Sequence, residues 1–126
     1  MSTIKTETLS TPSNATVPVD TVVNGTAKAW VNFNGTGTVA IRRAFNVSSI
    51  TDEGVGLFTI NFTNAMVDTS YAITGTTMNN GQMGVQIRGS YNTIPTLYTT
   101  SAVSINTTQA NSFYDCAIVT VAIFSN

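Results

Sequence analysis

The sequence predicts an all-β fold, an antiparallel β-sandwich that is jelly-roll-like, with about eight strands and an extended N-terminal arm. Two observations support this fold class. Segments in which apolar and polar residues alternate recur about every eight to twelve residues, with turn residues between them. β-branched residues dominate and lose χ1 freedom in a helix, so no stretch is typical of a helix. The pattern does not distinguish a jelly roll from another sandwich topology.

Residues 1–26 differ in composition from the rest of the chain. They contain no aromatic residue, are rich in Thr, Ser and Val, and hold two of the three prolines. A segment of this kind buries little surface alone and commonly lies along a neighbour or anchors in a partner. We therefore predict an extended arm, 1–26, for attachment or subunit exchange, and a β-sandwich domain, 27–126. A plain disordered tail is the alternative for the arm.

Six predicted strands precede residue 90. Asn34–Gly37 and Asp52–Gly54 are the predicted turns after the first and the third of them. In the fourth, Phe58, Ile60 and Phe62 share one face with strict period-two spacing. The six segments are Lys28–Phe33, Thr38–Phe45, Val47–Thr51, Val55–Phe62, Tyr71–Thr77 and Met83–Ile87.

Two further strands complete the predicted domain. Residues alternate from Leu97 to Ile105, which predicts one strand over this range. The segment Phe113–Phe124 is apolar on both faces apart from Asp115 and Thr120. Such a strand is central in its sheet and covered on both sides, by a second sheet or by another subunit. The single cysteine, Cys116, lies in this segment and is predicted to be buried as a small hydrophobic residue. A lone cysteine forms no internal disulfide, so we expect that the chain is made in a reducing compartment.

The chain is poor in charge, and this excludes several classes of function. Its 126 residues include five Lys or Arg and six Asp or Glu, and charged residues make up 9%. Five scattered cations form no basic stripe, so we expect no nucleic-acid binding. The run Ala117–Phe124 is far shorter than the roughly 20 residues of a membrane-spanning helix. The first ten residues lack the apolar core of a secretory signal.

Low charge and small size also predict self-association. A surface wetted by hydroxyls and amides cannot repel copies of itself by charge. A domain near 100 residues buries only about two thirds of its unfolded surface, so an interface of about 800 Å² per partner would add much to its stability. We therefore expect an obligate homo-oligomer.

The chemistry of the side chains argues against an enzyme. With no histidine, the chain has no Ser–His or Cys–His pair, and one cysteine does not complete a usual zinc site, so we expect no catalytic residue, metal or cofactor. Glycoside hydrolysis by two carboxylates remains the enzymatic alternative. The available acids are Glu7, Asp20, Asp52, Glu53, Asp68 and Asp115.

Four further residues carry specific expectations. Asp115 lies within an apolar strand and needs an arginine or a backbone amide as its partner. Arg42 and Arg43 are predicted to point to opposite faces of a strand, one of them against Asp115 or Asp68 and the other in solvent, with anion binding as the alternative. Trp30, the only tryptophan, is predicted to be a core or interface anchor.

The candidate ligand-binding residues lie in two predicted loops. Both loops are rich in Asn, Gly, Ser or Tyr, the residue types that adaptable recognition surfaces favour. Ordinary loop packing is the alternative reading of these positions. The candidates are Asn79, Asn80, Gln82, Tyr91 and Asn92.

The stretch Ala27–Arg42, continued through residues 44–52 and 59–66 to Tyr71, resembles a recurring segment of small tail-fibre proteins of bacteriophages, especially those of aquatic bacteria and cyanobacteria. The opening, Ser2–Leu9, is similar to the start of such proteins, and the resemblance covers about the first 70 residues. In that family the residue after the first arginine is commonly small or polar, so Arg43 is a departure.

The resemblance implies a structural virion protein, made in the host cytoplasm and located in the virion. It implies attachment to a host surface glycan or protein, a homotrimer, and contacts with other virion proteins through residues 1–26. The first alternative is a capsid decoration, cement or head-fibre protein that binds capsomers through the same arm, which the short chain favours. A lectin-like adhesive module is a further alternative.

Overall fold

A computed structural model describes residues 1–78, 83–88 and 97–126. The described residues form eleven strands and one helix, α1 (Val19–Gly25), and every paired strand is antiparallel, which confirms the all-β fold class. The strands exceed the predicted eight because three of them have only two or three residues. They are β1 (Thr8–Ser10), β2 (Thr16–Pro18), β3 (Ala29–Asn34), β4 (Ala40–Phe45), β5 (Val47–Gly54), β6 (Leu57–Phe62), β7 (Ala72–Met78), β8 (Met83–Ile87), β9 (Ala102–Gln109), β10 (Ser112–Phe113) and β11 (Ile118–Phe124).

Four strands form one sheet in the order β4-β3-β11-β7. The last strand is therefore central, as predicted, with Val121 opposite Val31 on one side and Gly75 on the other. Its alternate residues Val119, Val121 and Ile123 are buried, whereas those between them are only half-buried. The prediction that both faces of this strand are covered holds for one face within the described residues.

A second sheet has the order β10-β9-β6-β5, and β8 is a further strand that also pairs with β9. The period-two pattern of β6 is confirmed, since Phe58, Ile60 and Phe62 are all buried. Opposite them on β9, Val103 and Ile105 are fully buried.

Buried apolar side chains from both sheets form one core cluster. The rings of Phe33 in the first sheet and Phe58 in the second pack edge to face, with centroids 5.2 Å apart. Cys116 is fully buried in the same cluster, which confirms its prediction, and burial raises the pKa of its thiol. Apolar side chains from distant parts of the chain thus share one core.

Residues 1–26 form a hairpin of β1 and β2 followed by α1, and none of them is buried. The expectation of no helix is wrong. Asp20 lies in the first turn, where its negative charge interacts favourably with the positive end of the helix dipole. At the other end, Lys28 Nζ donates to the carbonyl of Val23 and Thr26 Oγ1 donates to that of Val22. These end contacts stabilise a helix too short to show a 3.6-residue period.

The turn predicted at Asp52–Gly54 is misplaced. These residues end β5, and the chain reverses at Val55 and Gly56, so that Gly54 lies opposite Leu57. The shift has a local cause, since Asp52 Oδ1 accepts a hydrogen bond from Gly54 N and the strand pairing is irregular there.

The strand predicted from Leu97 to Ile105 is also shifted. Tyr98 forms only an isolated bridge with Val103, and β9 begins at Ala102. Thr99 N donates to Ala102 O at 2.9 Å, and Thr99 Oγ1 accepts from Ala102 N at 3.1 Å. A hydroxyl side chain thus closes a turn within an alternating pattern, which period-two counting does not detect.

Candidate functional site

The outward side of the four-stranded sheet carries a groove of about 390 Å³. It lies over the three adjacent strands β3, β11 and β7. We call it the outer-face groove. The side chains that line it are Trp30, Asn32, Thr74, Thr76, Thr120 and Ala122.

Strand alternation places these side chains outward. In β3 the residues Ala29, Val31 and Phe33 are buried, so Trp30 and Asn32 between them face away from the core. Trp30 is half-buried and belongs to the sheet surface, so the prediction of a core position is wrong and the interface reading stays a prediction.

The groove side chains are arranged in two rows across the sheet. In one row Trp30 lies opposite Phe45 on one neighbouring strand and Ala122 on the other. Phe45 is 55% exposed. This apolar row is therefore open to solvent on a face that is otherwise rich in hydroxyls.

The second row is polar and runs beside the first. Asn32 lies opposite Arg43 on β4 and Thr120 on β11, and Thr120 lies opposite Thr76 on β7. The hydroxyls of Thr76 and Thr120 are 2.7 Å apart. The row spans three inter-strand spacings, about 14 Å. Amide and hydroxyl groups thus follow one another along the whole width of the sheet.

A β-bulge brings the two arginines of β4 to this row. The pairing shifts between Asn32 and Phe33, so Arg42 is the extra residue of β4. Arg42 Nη2 donates to the carbonyl of Ala117 at 2.6 Å, and its Nη1 lies 3.4 Å from Asn32 Oδ1. The prediction that the two arginines point to opposite faces, one against an acid, is wrong because strict alternation fails at a bulge. Both arginines are exposed.

The strands of this sheet carry no carboxylate, since none of the four contains Asp or Glu. Asp115 accepts a 2.7 Å hydrogen bond from Gly56 N, the backbone-amide partner that the sequence predicted as one of two alternatives. Asp68 accepts from Ser70 N. Among the described residues, no carboxylate lies within 4 Å of Arg42 or Arg43.

One ion pair lies on the second sheet. Arg88 pairs with Glu53, and Thr59 Oγ1 donates to the same carboxylate at 2.5 Å. The pKa of Glu53 is lower than its ordinary value, mainly because of the hydrogen bond from Thr59 and to a smaller extent because of Arg88. This pair involves Glu53 at the end of β5, where the sequence predicted only a turn, and it does not include Arg42 or Arg43.

A stacked tyrosine pair is the other distinctive polar feature. The rings of Tyr71 and Tyr98 are 4.3 Å apart, Tyr98 donates to the carbonyl of Tyr71, and Tyr71 donates to that of Thr99 at 2.8 Å. Burial raises the pKa of both hydroxyls. Both phenols are engaged with backbone carbonyls, so we assign this pair a structural role.

The ligand-binding candidates of the sequence lie outside the described residues. These are Asn79, Asn80, Gln82, Tyr91 and Asn92. Of the described residues next to the two loops, Met83 begins β8 and Arg88 directly follows its end. The outer-face groove was not predicted. The alternation in β3 places Trp30 and Asn32 on one face, but it does not indicate which strands lie beside them.

In ranges 1–78, 83–88 and 97–126, no group of three or more His, Cys, Asp or Glu is placed to hold a metal ion. No helix in that part of the chain is long and apolar enough to cross a membrane. Comparison with protein-family models, curated proteins and solved structures gives no significant match.

Proposed function

We propose that the chain is a structural virion protein of a bacteriophage, a tail-fibre-like module that attaches the particle to the host surface. The observation that carries the proposal is the outer-face groove together with the adjoining strand β4, on which an exposed aromatic row lies beside a row of amide, hydroxyl and guanidinium groups. Groups of this kind on a rigid sheet suit binding rather than catalysis, because they offer contact area and hydrogen bonds without a nucleophile and base pair.

The finer fold that we propose is a β-sandwich. It is supported by the buried side chains that both sheets contribute to one core. Each of the hairpins β3–β4 and β5–β6 stays within one sheet, which favours a sandwich topology other than a jelly roll, the alternative that the sequence left open.

The N-terminal unit, residues 1–26, is proposed to dock on other virion proteins. Its support is that none of its residues is buried, so the core does not depend on it. Its end lies beside the end of β11, since Lys28 N donates to Ile123 O. Attachment through this unit leaves the rest of the sheet surface available to a receptor.

We also propose that three copies assemble into a homotrimer. Three weak receptor sites on one particle then act together, which raises the overall affinity without any new contact. Several large apolar side chains outside the groove are exposed in the single chain and are available to such an interface, among them Met78 and Ile87 near the edge formed by β7 and β8. Analytical ultracentrifugation tests the assembly, and a monomeric mass at micromolar concentration would contradict it.

Immunogold electron microscopy tests the location. Antibody raised against residues 27–126 is applied to particles purified from the lysate in which the chain is made. We expect gold at the tail or at fibre ends. Gold over the head would instead support a decoration or cement protein, the second candidate, and gold on no particle would refute a virion role.

A deletion separates the arm from the body of the protein. A variant lacking residues 1–26 keeps every residue of the core and should fold, as read by circular dichroism. We expect it to bind particles at least tenfold more weakly than the full chain in a co-sedimentation assay. Equal co-sedimentation of both forms would refute the docking role of the arm.

A further inference from the structure

We propose that the outer-face groove binds an acidic oligosaccharide, a sugar chain that carries carboxylates, with Arg42 and Arg43 as the groups that recognise its charge. This inference rests on the proposed attachment function and names the ligand class and the site. It moves the recognition surface from the predicted loops to the sheet.

Charge is the first argument. The two guanidinium groups lie at one end of the polar row, and the four strands of the sheet contain no acid to neutralise them. Arg42 is held by the carbonyl of Ala117 and the amide of Asn32, so its guanidinium loses little freedom when a ligand binds. A guanidinium presents several N–H donors in a plane, which matches a carboxylate with two parallel hydrogen bonds.

The polar row is the second argument. Asn32, Thr120 and Thr76 continue from the arginines across the sheet, and each offers groups that donate and accept hydrogen bonds. The hydroxyls of a sugar have the same dual character, so such a row can follow a ring's edge. The groove volume of about 390 Å³ falls within the roughly 300–1,000 Å³ of small-ligand sites.

The aromatic row is the third argument. Trp30 presents its ring system on the surface of the groove, next to the polar row. One face of a sugar ring consists of C–H groups, which pack on the negative face of an aromatic ring while the hydroxyls point sideways to polar partners. Trp30 is thus placed to bind the apolar face of the sugar whose edge contacts Asn32.

A second copy of the chain is a less suitable occupant of this face. In a twofold dimer the same patch meets itself, so the two arginines of each copy would lie near those of the other. Like charges at an interface disfavour association. The carboxylates of an oligosaccharide would instead neutralise the arginines.

The only tryptophan of the chain lies in the groove, so its fluorescence reports on this site alone. The full chain is titrated with tetragalacturonate and with α2,8-linked tetrasialate, and the control ligand is tetragalacturonate with its carboxyls reduced to alcohols. We expect a saturable fluorescence change with at least one acidic ligand. We also expect at least tenfold weaker binding of the neutral control and weaker binding at higher salt.

Variants assign the charge recognition to the arginines. Arg42→Gln with Arg43→Gln should weaken acidic-ligand binding at least tenfold, whereas Lys5→Gln, which removes a charge from the exposed N-terminal unit, should leave it unchanged. Arg43→Gln alone tests the same point if the double variant does not fold. No fluorescence change with either acidic ligand, equal binding of the neutral control, or equal binding by the arginine variants would each overturn the inference.

Binding to host cells distinguishes this inference from the proposed function. Labelled wild-type protein and the double arginine variant are compared for adherence to host cells. Equal adherence of both would refute the acidic-sugar site while supporting host attachment. Wild-type protein that binds the acidic ligand but no host cell would refute host attachment while supporting the site. A mass that doubles with concentration and returns to the monomer in Trp30→Ala would make the groove a self-interface and overturn the inference.

Discussion

Gly56 lies in the turn between β5 and β6, close to the backbone of Thr107 and Tyr114, and its replacement by alanine should be unusually destabilising. The residue has a φ of +66°, in the left-handed region. A β-carbon there would lie 2.6 Å from both Thr107 O and Tyr114 N, two backbone atoms that have little freedom to move. Gly56 N also donates to Asp115 Oδ1, and Gly56 O accepts from Thr107 N. Alanine therefore adds backbone strain and displaces two hydrogen bonds.

The magnitude follows from these three effects. An L-residue in the left-handed region costs about 1–2 kcal/mol. Losing the bond between Thr107 N and Gly56 O costs about 0.5–1.5 kcal/mol, and losing the one to the Asp115 carboxylate costs about 1.5–3 kcal/mol. Gly56→Ala should thus lower the free energy of unfolding by about 3–6 kcal/mol, a large share of the roughly 5–15 kcal/mol of an ordinary domain.

Gly37 offers a matched control. It has a φ of +58°, but a β-carbon there would meet nothing within 4 Å. Gly37→Ala should therefore lower the free energy of unfolding by only about 1–2 kcal/mol, the backbone effect alone. The difference between the two variants isolates the close approach of the β5–β6 turn to Thr107 in β9 and to Tyr114 after β10.

Urea unfolding, followed through the fluorescence of Trp30 and analysed by linear extrapolation, measures both variants. The reasoning is refuted if Gly56→Ala loses no more stability than Gly37→Ala within about 0.5 kcal/mol. A second comparison uses Asp115→Ala. If the displaced carboxylate bond contributes as argued, the double variant Gly56→Ala with Asp115→Ala should lose less stability than the two single variants together.

Three further predictions concern the core and the titratable groups. Phe58→Ala removes a fully buried ring and should lower the free energy of unfolding by about 3–5 kcal/mol, and a loss below about 2 kcal/mol would indicate that the core closes over the cavity. The buried Cys116, whose pKa is raised, should react with a disulfide reagent on the order of 100-fold more slowly in the native than in the urea-unfolded chain, and equal rates would contradict its burial. Glu53→Gln should lower stability at pH 7 by less than about 1 kcal/mol, since its pair with Arg88 is partly exposed. Because the folded pKa of Glu53 is lowered, its stabilisation is present above the unfolded pKa of about 4.3 and is lost as the pH falls through the folded value, so the two proteins should unfold at the same urea concentration near pH 2. A difference that persists at pH 2 would contradict this cause.

Local alternation was sufficient to predict much of the fold. β3, β6, β7 and β11 lie within or close to the predicted segments, because more buried and more exposed residues alternate in each and period-two counting detects this. β4 and β8 also lie within predicted segments. The errors occurred where side-chain hydrogen bonds or backbone irregularity decide the conformation. A turn closed by Thr99 makes β9 begin later than predicted, and the bond between Asp52 and Gly54 shifts the predicted turn to the following residues. The helix α1, which was not predicted, is stabilised by contacts at its ends.

The outer-face groove could not be predicted from local pattern. Its polar row forms because Asn32, Thr120 and Thr76 lie on strands that are distant in the sequence and adjacent in the sheet. The position of the arginines depends on a bulge, which the doublet itself does not indicate. The predicted ligand-binding loops stay predictions, since Tyr91 and the other candidates lie outside the described residues.

The central pairing of β3 with β11 also affects how the protein folds. Val31 and Val121 pair although they are ninety positions apart in the chain. The two outer strands of the same sheet pair only with these central strands, β4 with β3 and β7 with β11. Non-local pairing of this kind slows folding, because most of the loop entropy is lost before the contact forms. Until β11 has been synthesised, β3 and β7 have unpaired edges that can join other chains. The nascent chain is therefore most prone to aggregation during synthesis, before its last strand joins the sheet.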